Sequence, residues 1–372
     1  MKTANLIVGI GLTGAVIAER LSAKGKPSLV IDRRDHIGGN CYDYNDDGIT
    51  IHKYGPHAFH TNDKSVWDYL SRFTEWRYFF LKTTAHIDNQ LVPIPFNINT
   101  INALFPNNLA EKLIDKLIAK YEYGANVSIS DLQKADDGDL KFLASFIYEK
   151  VFKNYTAKQW GIDPKNIDPA VLARVPVAIS RDDGYFHDKY QGIPRFGYTN
   201  MIANILKSSA LIETRLNTDF KTANIEYENL YYTGAIDEFF DYKFGELPYR
   251  SLRFDVTRIE KDYVQPTAVV NYPNNHDFTR ICEHKHFLDE REAHTIISIE
   301  YPELFERGKN ERYYPIETPQ NRALYEKYLN EAKKSPNVHF LGRLGDYRYY
   351  NMDAAVSRAL NINPFAEEKQ KG

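Results

Sequence analysis

Leu6-Ile7-Val8-Gly9-Ile10-Gly11-Leu12-Thr13-Gly14 decides the fold, together with the helical stretch Ala15 to Ala23 and the apolar run Leu29-Val30-Ile31-Asp32 that follow it. A short buried strand runs into a complete GxGxxG. A helix follows, and a second strand ends on an acid. Gly9 permits the tight turn, Gly11 lets the backbone approach a pyrophosphate, and Gly14 lets helix pack on strand. The helix N-terminus faces the phosphates, and Asp32 is placed to accept from a ribose hydroxyl. The expectation is an α/β chain with a Rossmann-like dinucleotide-binding domain.

Beyond Asp32 comes Arg33-Arg34-Asp35-His36-Ile37-Gly38-Gly39-Asn40. A Gly-Gly pair just past the ribose-binding acid is typical of FAD proteins, where the chain runs close beneath the cofactor. No second GxGxxG occurs, so the separate nicotinamide domain of two-dinucleotide reductases is not expected.

The remaining composition narrows the field. The 372 residues can form two or three domains. No apolar stretch reaches the roughly 18 to 20 residues of a membrane span. The N-terminal apolar run lacks the features of a signal peptide. A net charge of −3 with interspersed signs gives no support for nucleic-acid or membrane binding. Two cysteines, Cys41 and Cys282, make no disulfide framework, so a cytoplasmic setting is expected. The 27 tyrosines are clustered, which suggests a polar-aromatic cleft able to hold sugar or base faces. No His/Cys cluster has metal-ligand spacing.

Periodicity then divides the chain. A strand-like stretch runs from Thr83 to Val92. From Asn99 to about Val175 the pattern is helical, with Leu109, Leu113, Ile114, Leu117, Ile118 and Tyr121 on one face, and Phe142, Phe146 and Val151 marking another helix. Strands return after Val177. Leu230-Tyr231-Tyr232-Thr233-Gly234 and Val338-His339-Phe340-Leu341-Gly342-Arg343 read as late strands of the first sheet. The expected division is a discontinuous FAD-binding domain (1–80, 200–240 and 336–372), a helical domain (99–176) with a mobile lid near 161–181, and an antiparallel β-sheet substrate domain (81–98, 177–199 and 241–335).

Six further stretches carry a resemblance. They are His52-Lys53-Tyr54-Gly55-Pro56-His57-Ala58-Phe59-His60-Thr61, Tyr155-Thr156-Ala157-Lys158-Gln159-Trp160-Gly161, Arg174-Val175-Pro176-Val177, Tyr190-Gln191-Gly192-Ile193-Pro194, Thr279-Arg280-Ile281-Cys282-Glu283-His284-Lys285-His286-Phe287 and Tyr313-Tyr314-Pro315. In order and from end to end, the chain resembles bacterial UDP-galactopyranose mutases. The resemblance implies a homodimer of three-part subunits, whose third part carries a six-stranded sheet. It also implies cell-surface polysaccharide synthesis, and an external reductant such as NAD(P)H. Reduced FAD would be the catalyst: its N5 attacks the anomeric carbon and expels the nucleoside diphosphate, with no net oxidation.

Residue by residue, the resemblance makes Arg174 and Arg280 the pair that grips the pyrophosphate. It puts His60 beside the flavin. Phe152, Tyr155, Thr156, Trp160 and Asn271 fall to the nucleotide site. Tyr185, Tyr314 and Tyr349 line the phosphate and sugar cleft, with Leu81 near the sugar. The cofactor contacts implied are Gly9, Gly11, Thr13, Gly14, Asp32, Arg33, Gly39, Asn40, Ala58, Phe59, His60, Gly234, Gly342, Arg343, Tyr349, Asn351 and Met352.

The chain departs from the pattern at several points. Leu81 stands where galactose-specific members carry an asparagine, and Asn351 replaces an aspartate. Pro56, Arg181 and Arg195-Phe196-Gly197 also differ. The default substrate is UDP-galactopyranose. The alternatives are TDP-fucopyranose or UDP-N-acetylgalactopyranose with the same chemistry, and, more remotely, an FAD amine oxidase.

Overall fold

The computed structural model describes residues 2–161 and 176–362. Its organising element is a five-stranded parallel sheet in the order Ile212–Arg215, Ser28–Ile31, Lys2–Val8, Glu226–Tyr232, Val338–Phe340. The central strands read as unbroken apolar runs because helices or loops cover both faces. On one face the helix Leu12–Ser22 lies beside the helices Tyr198–Lys207 and Met352–Leu360, burying Val16, Ile17, Ile202 and Val356. On the other, Leu6, Leu29, Leu230 and Tyr232 pack with Phe220 and Phe239. This sheet draws its strands from three distant parts of the chain.

The second layer is a seven-stranded sheet in the order Tyr314–Pro315, Tyr249–Ile259, Thr295–Leu304, Arg280–Glu283, Val269–Asn271, Thr83–Ile87, Gln90–Ile94. It differs from expectation twice. It has seven strands rather than six, with the two-residue strand Tyr314–Pro315 at one edge. One pair, Val269–Asn271 with Thr83–Ile87, is parallel, so the sheet is mixed rather than antiparallel. The stretch read as one strand from Thr83 to Val92 is a hairpin. It turns at Asp88 and Asn89, both at positive φ as such tight turns require.

The helices Ile98–Leu104, Asn107–Tyr121, Ile129–Gln133, Gly138–Ile147 and Lys153–Trp160 form a separate core around Leu113, Leu117, Leu143 and Ile147. Asn97, Ser128 and Asp137 cap three of them with side-chain oxygens. A π-turn, Tyr148–Phe152, joins the last two and rotates the chain so that Phe152 points inward. Phe142, expected in this core, is exposed.

Residues 177–199 do not join the seven-stranded sheet. Val177–Ala178 pairs with Asn126–Val127, and Val177 and Ile179 enter the helical core. Tyr190–Pro194 pairs with Phe59–Thr61 and Trp76–Tyr78 in a three-stranded sheet that packs against the helices of the parallel sheet. Strands this short carry no pattern that specifies a partner.

Candidate active site

The first cavity lies at the carboxyl ends of the parallel strands, where ligands bind in open α/β sheets. Gly9, Gly11 and Thr13 line its floor, with Gly39, Asn40, Gly234 and Gly342 around them. The floor is bare backbone of necessity. A Cβ on Gly9, which sits at φ +103°, would lie 2.0 Å from Thr233 Oγ1, and one on Gly39 would lie 2.9 Å from Gly11 Cα. Gly11 precedes the helix Leu12–Ser22 in extended conformation with no side-chain cap, leaving the helix's first N–H groups to the cavity. Asp32 also lines it, held by Ile10 N–H on Oδ2 (2.8 Å) and Arg34 N–H on Oδ1 (3.0 Å). Arg33 lines the outer rim and pairs with Glu238 and Glu311. This cradle fits a dinucleotide diphosphate. Five expected contacts do not line it: Ala58, His60 and Tyr349 line the adjoining cavity described next, and Gly14 and Phe59 line neither. Gly14 lies behind the wall, where its bare Cα lets the helix approach Gly9 O. Phe59 is 1% exposed and stacks near Trp67 and Trp76. Strand alternation that turns His60 to the cavity turns Phe59 into the core.

A second cavity opens from the first. Asn40, His57, Arg343, Asn351 and Met352 line both. Arg280 lines the second cavity. The guanidinium donates from Nη2 (2.6 Å) and Nε (2.8 Å) to the Glu300 carboxylate, which is 1% exposed. Thr279 Oγ1 donates to the other carboxylate oxygen at 3.0 Å. Burial, the largest influence, works against the Arg280 charge, but Glu300 together with Tyr155 and Tyr314 outweighs it, so Arg280 is held well above the usual arginine range. Tyr155, Tyr185 and Tyr314 share this cavity. Burial pushes their phenols up, that of Tyr314 to about 12, so all three keep their protons as donors at neutral pH. Tyr349, 37% exposed, closes the side nearest Arg343, which lies 4.8 Å over its ring.

His60, Ala58, Leu81 and Pro56 line the same space. His60 stacks on Phe186 at 3.6 Å, and its Nδ1 lies 2.8 Å from Asp188. Its Nε2 faces the Asn351 amide at 3.4 Å. Phe152 and Thr156 lie further off, in a side chamber shared with Tyr155, Trp160, Tyr185 and Asn271. Arg174 and most of the expected lid lie outside the described residues. Arg181 and Arg195-Phe196 are exposed and line neither cavity.

Three residues here were not foreseen: Glu300, Asp188 and Phe186. Glu300 had one readable signal, its place on an apolar strand, Thr295–Leu304. Its role depends on register, which sets it directly opposite Arg280. Asp188 and Phe186 lie in a segment without periodicity.

The profile of a family described as UDP-galactopyranose mutase matches residues 150–349. A probable UDP-galactopyranose mutase from Klebsiella pneumoniae is 38% identical over 361 residues, spanning 95% of this chain and 92% of the relative. The chain belongs to the UDP-galactopyranose mutase family. It is therefore a flavin-dependent mutase, and its cofactor is FAD. A second family, an NAD(P)-binding Rossmann-like domain, matches residues 7–73, the first arm of the cradle. A dTDP-fucopyranose mutase from Escherichia coli is 37% identical over 367 residues, covering 95% of this chain and 96% of that one. A crystal structure of reduced UDP-galactopyranose mutase superposes with a TM-score of 0.71 at 17% identity, covering 97% and 93% of the two chains, which shows the shared fold. A putrescine oxidase, at TM-score 0.58 and 10% identity, shares that fold alone. Within this family setting stand two adjoining cavities, one over the glycine-rich loop and one lined by Arg280 with Tyr155, Tyr185 and Tyr314.

Proposed function

We propose that this mutase interconverts the pyranose and furanose forms of a nucleoside-diphosphate sugar, with UDP-galactose the default and dTDP-fucose the specific alternative. One observation carries the reading: a half-buried arginine, fixed by a buried carboxylate and sharing its cavity with three protonated tyrosines, where that cavity opens onto the FAD cradle. Reduced FAD, when bound, supplies the nucleophile for the anomeric carbon. The chain's own residues do the rest. Arg280 and the phenols of Tyr155, Tyr185 and Tyr314 meet the diphosphate as it gains charge on leaving. Glu300 keeps the guanidinium aimed without competing for the substrate face. Trp160 and Asn271, at the side chamber, hold the base end and keep the departed nucleotide near for return. Arg174, by family likeness, is the second cation on the diphosphate.

Leu81 favours the dTDP-fucose alternative. It lines the second cavity as an apolar wall, which tolerates a deoxy sugar better than a hydrogen-bonding group would. The E. coli relative acts on dTDP-fucopyranose by name, and its similarity equals that of the galactose relatives in extent. Family likeness further supports a homodimer, an external reductant such as NAD(P)H, and a place in cell-surface polysaccharide synthesis. The unpaired thiols Cys41 and Cys282 support a cytoplasmic setting. The three parts of the chain are read as cofactor domain, helical domain and sheet domain.

The test is chromatography of the dithionite-reduced enzyme with UDP-galactose, UDP-N-acetylgalactosamine and dTDP-fucose in parallel. Conversion of at least one, only after reduction, is expected. Conversion of none, or equal turnover by oxidised enzyme, overturns the reading.

A further inference from the structure

We propose that Lys158 is a positioning residue for the nucleoside-diphosphate site: its ammonium clasps the connection 272–278 to the helix Lys153–Trp160, setting Tyr155 and Trp160 against Asn271 and Arg280. The inference rests on the nucleotide-sugar reading above.

The geometry is specific. Lys158 Nζ donates to three backbone carbonyls, those of Tyr272 (2.6 Å), His276 (3.0 Å) and Phe278 (2.8 Å). An ammonium has three donors and no acceptor, so the set is saturated. The connection it holds joins Val269–Asn271 to Arg280–Glu283. Asn271 at one end and Arg280 at the other both line the second cavity, as do Tyr155 and Trp160 from the helix. One side chain therefore ties together the two elements that carry the nucleotide contacts. Neighbouring bonds set the frame around it. Asn154 Nδ2 donates to Asn274 Oδ1 (2.8 Å), and Asn274 Nδ2 to Lys150 O (2.7 Å). Arg250 caps the helix end, donating to Lys158 O (3.0 Å) and Gln159 O (2.9 Å).

The clasp also titrates. Burial pushes the Lys158 amine down to about 8, while Asp277 nearby favours the charge. A neutral amine has only two N–H groups, and its lone pair would face a carbonyl oxygen. The clasp is thus complete at pH 7 and incomplete at pH 9. The other titratable groups at this junction are Tyr272, His276 and Asp277 on the connection, His86 stacked on Tyr272 at 5.5 Å, and Tyr301 against Phe278 at 5.9 Å.

The test compares reduced wild-type holoenzyme, Lys158→Met and Lys158→Arg between pH 7 and 9, reading KM for UDP-galactose, Kd for UDP, kcat and FAD content. Lys158→Met should raise KM and Kd about tenfold at pH 7, leave kcat within about threefold, and rise toward pH 9 no more than Lys158→Arg does. Wild-type KM and Kd should climb about tenfold across the range relative to Lys158→Arg, whose guanidinium stays charged. Titration of the nucleotide itself is common to both and cancels. A Met variant matching wild type at pH 7, or an Arg variant that climbs with wild type, overturns the inference. If Lys158→Met does not fold, the comparison of wild type with Lys158→Arg decides it alone. A wild-type enzyme that neither binds UDP nor converts any sugar tested overturns the functional reading instead.

Discussion

Arg280 and Glu300 form a single device. The carboxylate occupies the guanidinium edge that points into the sheet and leaves the other edge to the cavity. Arg280→Ala should cut kcat about 100-fold or more with FAD still bound, because a preorganised charge at the departing group is lost. Glu300→Gln should cost about tenfold in kcat/KM, since the guanidinium loses a charged hydrogen-bond partner but keeps its place. Equal losses in both variants would mean that Glu300 does more than aim its partner. Leu81 makes a sharper test of specificity. Leu81→Asn should move the ratio of kcat/KM values toward UDP-galactose over dTDP-fucose, and an unchanged ratio would show that Leu81 does not read the sugar. At this scale the sequence was partly legible. Arg280 stood out by its motif. Glu300 did not, because the pairing of two strands twenty residues apart sets their contact, and register is not written in either strand.

Elements are joined here by buried carboxylates. Asp43, on the hairpin strand Asp43–Asp46, reaches the start of the helix Tyr198–Lys207. Its oxygens accept from Tyr198 N–H (2.6 Å) and Thr199 N–H (2.9 Å), and Thr199 Oγ1 accepts from Asp43 N–H (2.8 Å). Gly197, at φ +85°, leaves room for that carboxylate: a Cβ there would lie 2.8 Å from Asp43 Oδ2. Asp43→Ala should therefore lower stability by about 2 kcal/mol, read as a lower thermal midpoint, because it removes an N-cap and orphans buried donors. A midpoint within experimental error of wild type would refute the cap. Legibility at this scale followed pattern length. The βαβ unit and the long helix Asn107–Tyr121 were readable from periodicity. The short strands Val177–Ala178 and Tyr190–Pro194 were placed in the wrong sheet, since partners far along the chain decide where two to five residues go.

Across the whole molecule, two buried histidines, His52 and His284, and the half-buried His57 link stability to pH. His57 N–H donates to His52 Nδ1 (3.0 Å), and His52 N–H to His284 Nδ1 (3.3 Å), so both rings serve as acceptors and must be neutral. Burial, reinforced by neighbouring histidines, pushes His57 and His284 down to about 3, and burial lowers His52 as well. The unfolded chain binds these protons near pH 6.5, and the folded chain does not. Their contribution is intact above pH 6.5 and is lost as pH falls toward 3. Stability should drop by about 3 to 4 kcal/mol per pH unit through that window, for two to three protons taken up on unfolding. Urea unfolding at a series of pH values reads this slope, and a flat profile between pH 6 and 4 would contradict neutral histidines in the fold.

The order of strands in the parallel sheet has a further consequence, for the chain during its synthesis. The strand Lys2–Val8 leaves the ribosome first, yet its neighbour Glu226–Tyr232 and the edge strand Val338–Phe340 emerge long afterwards. Gly342 and Arg343, which close the cradle, follow later still. At 5 to 20 residues per second, roughly 20 to 70 seconds separate the first glycine of the fingerprint from the last wall of its cavity. The walls of the flavin cradle are therefore complete only once Arg343 has emerged, and until then the strand Lys2–Val8 is without two of the strands that share its sheet.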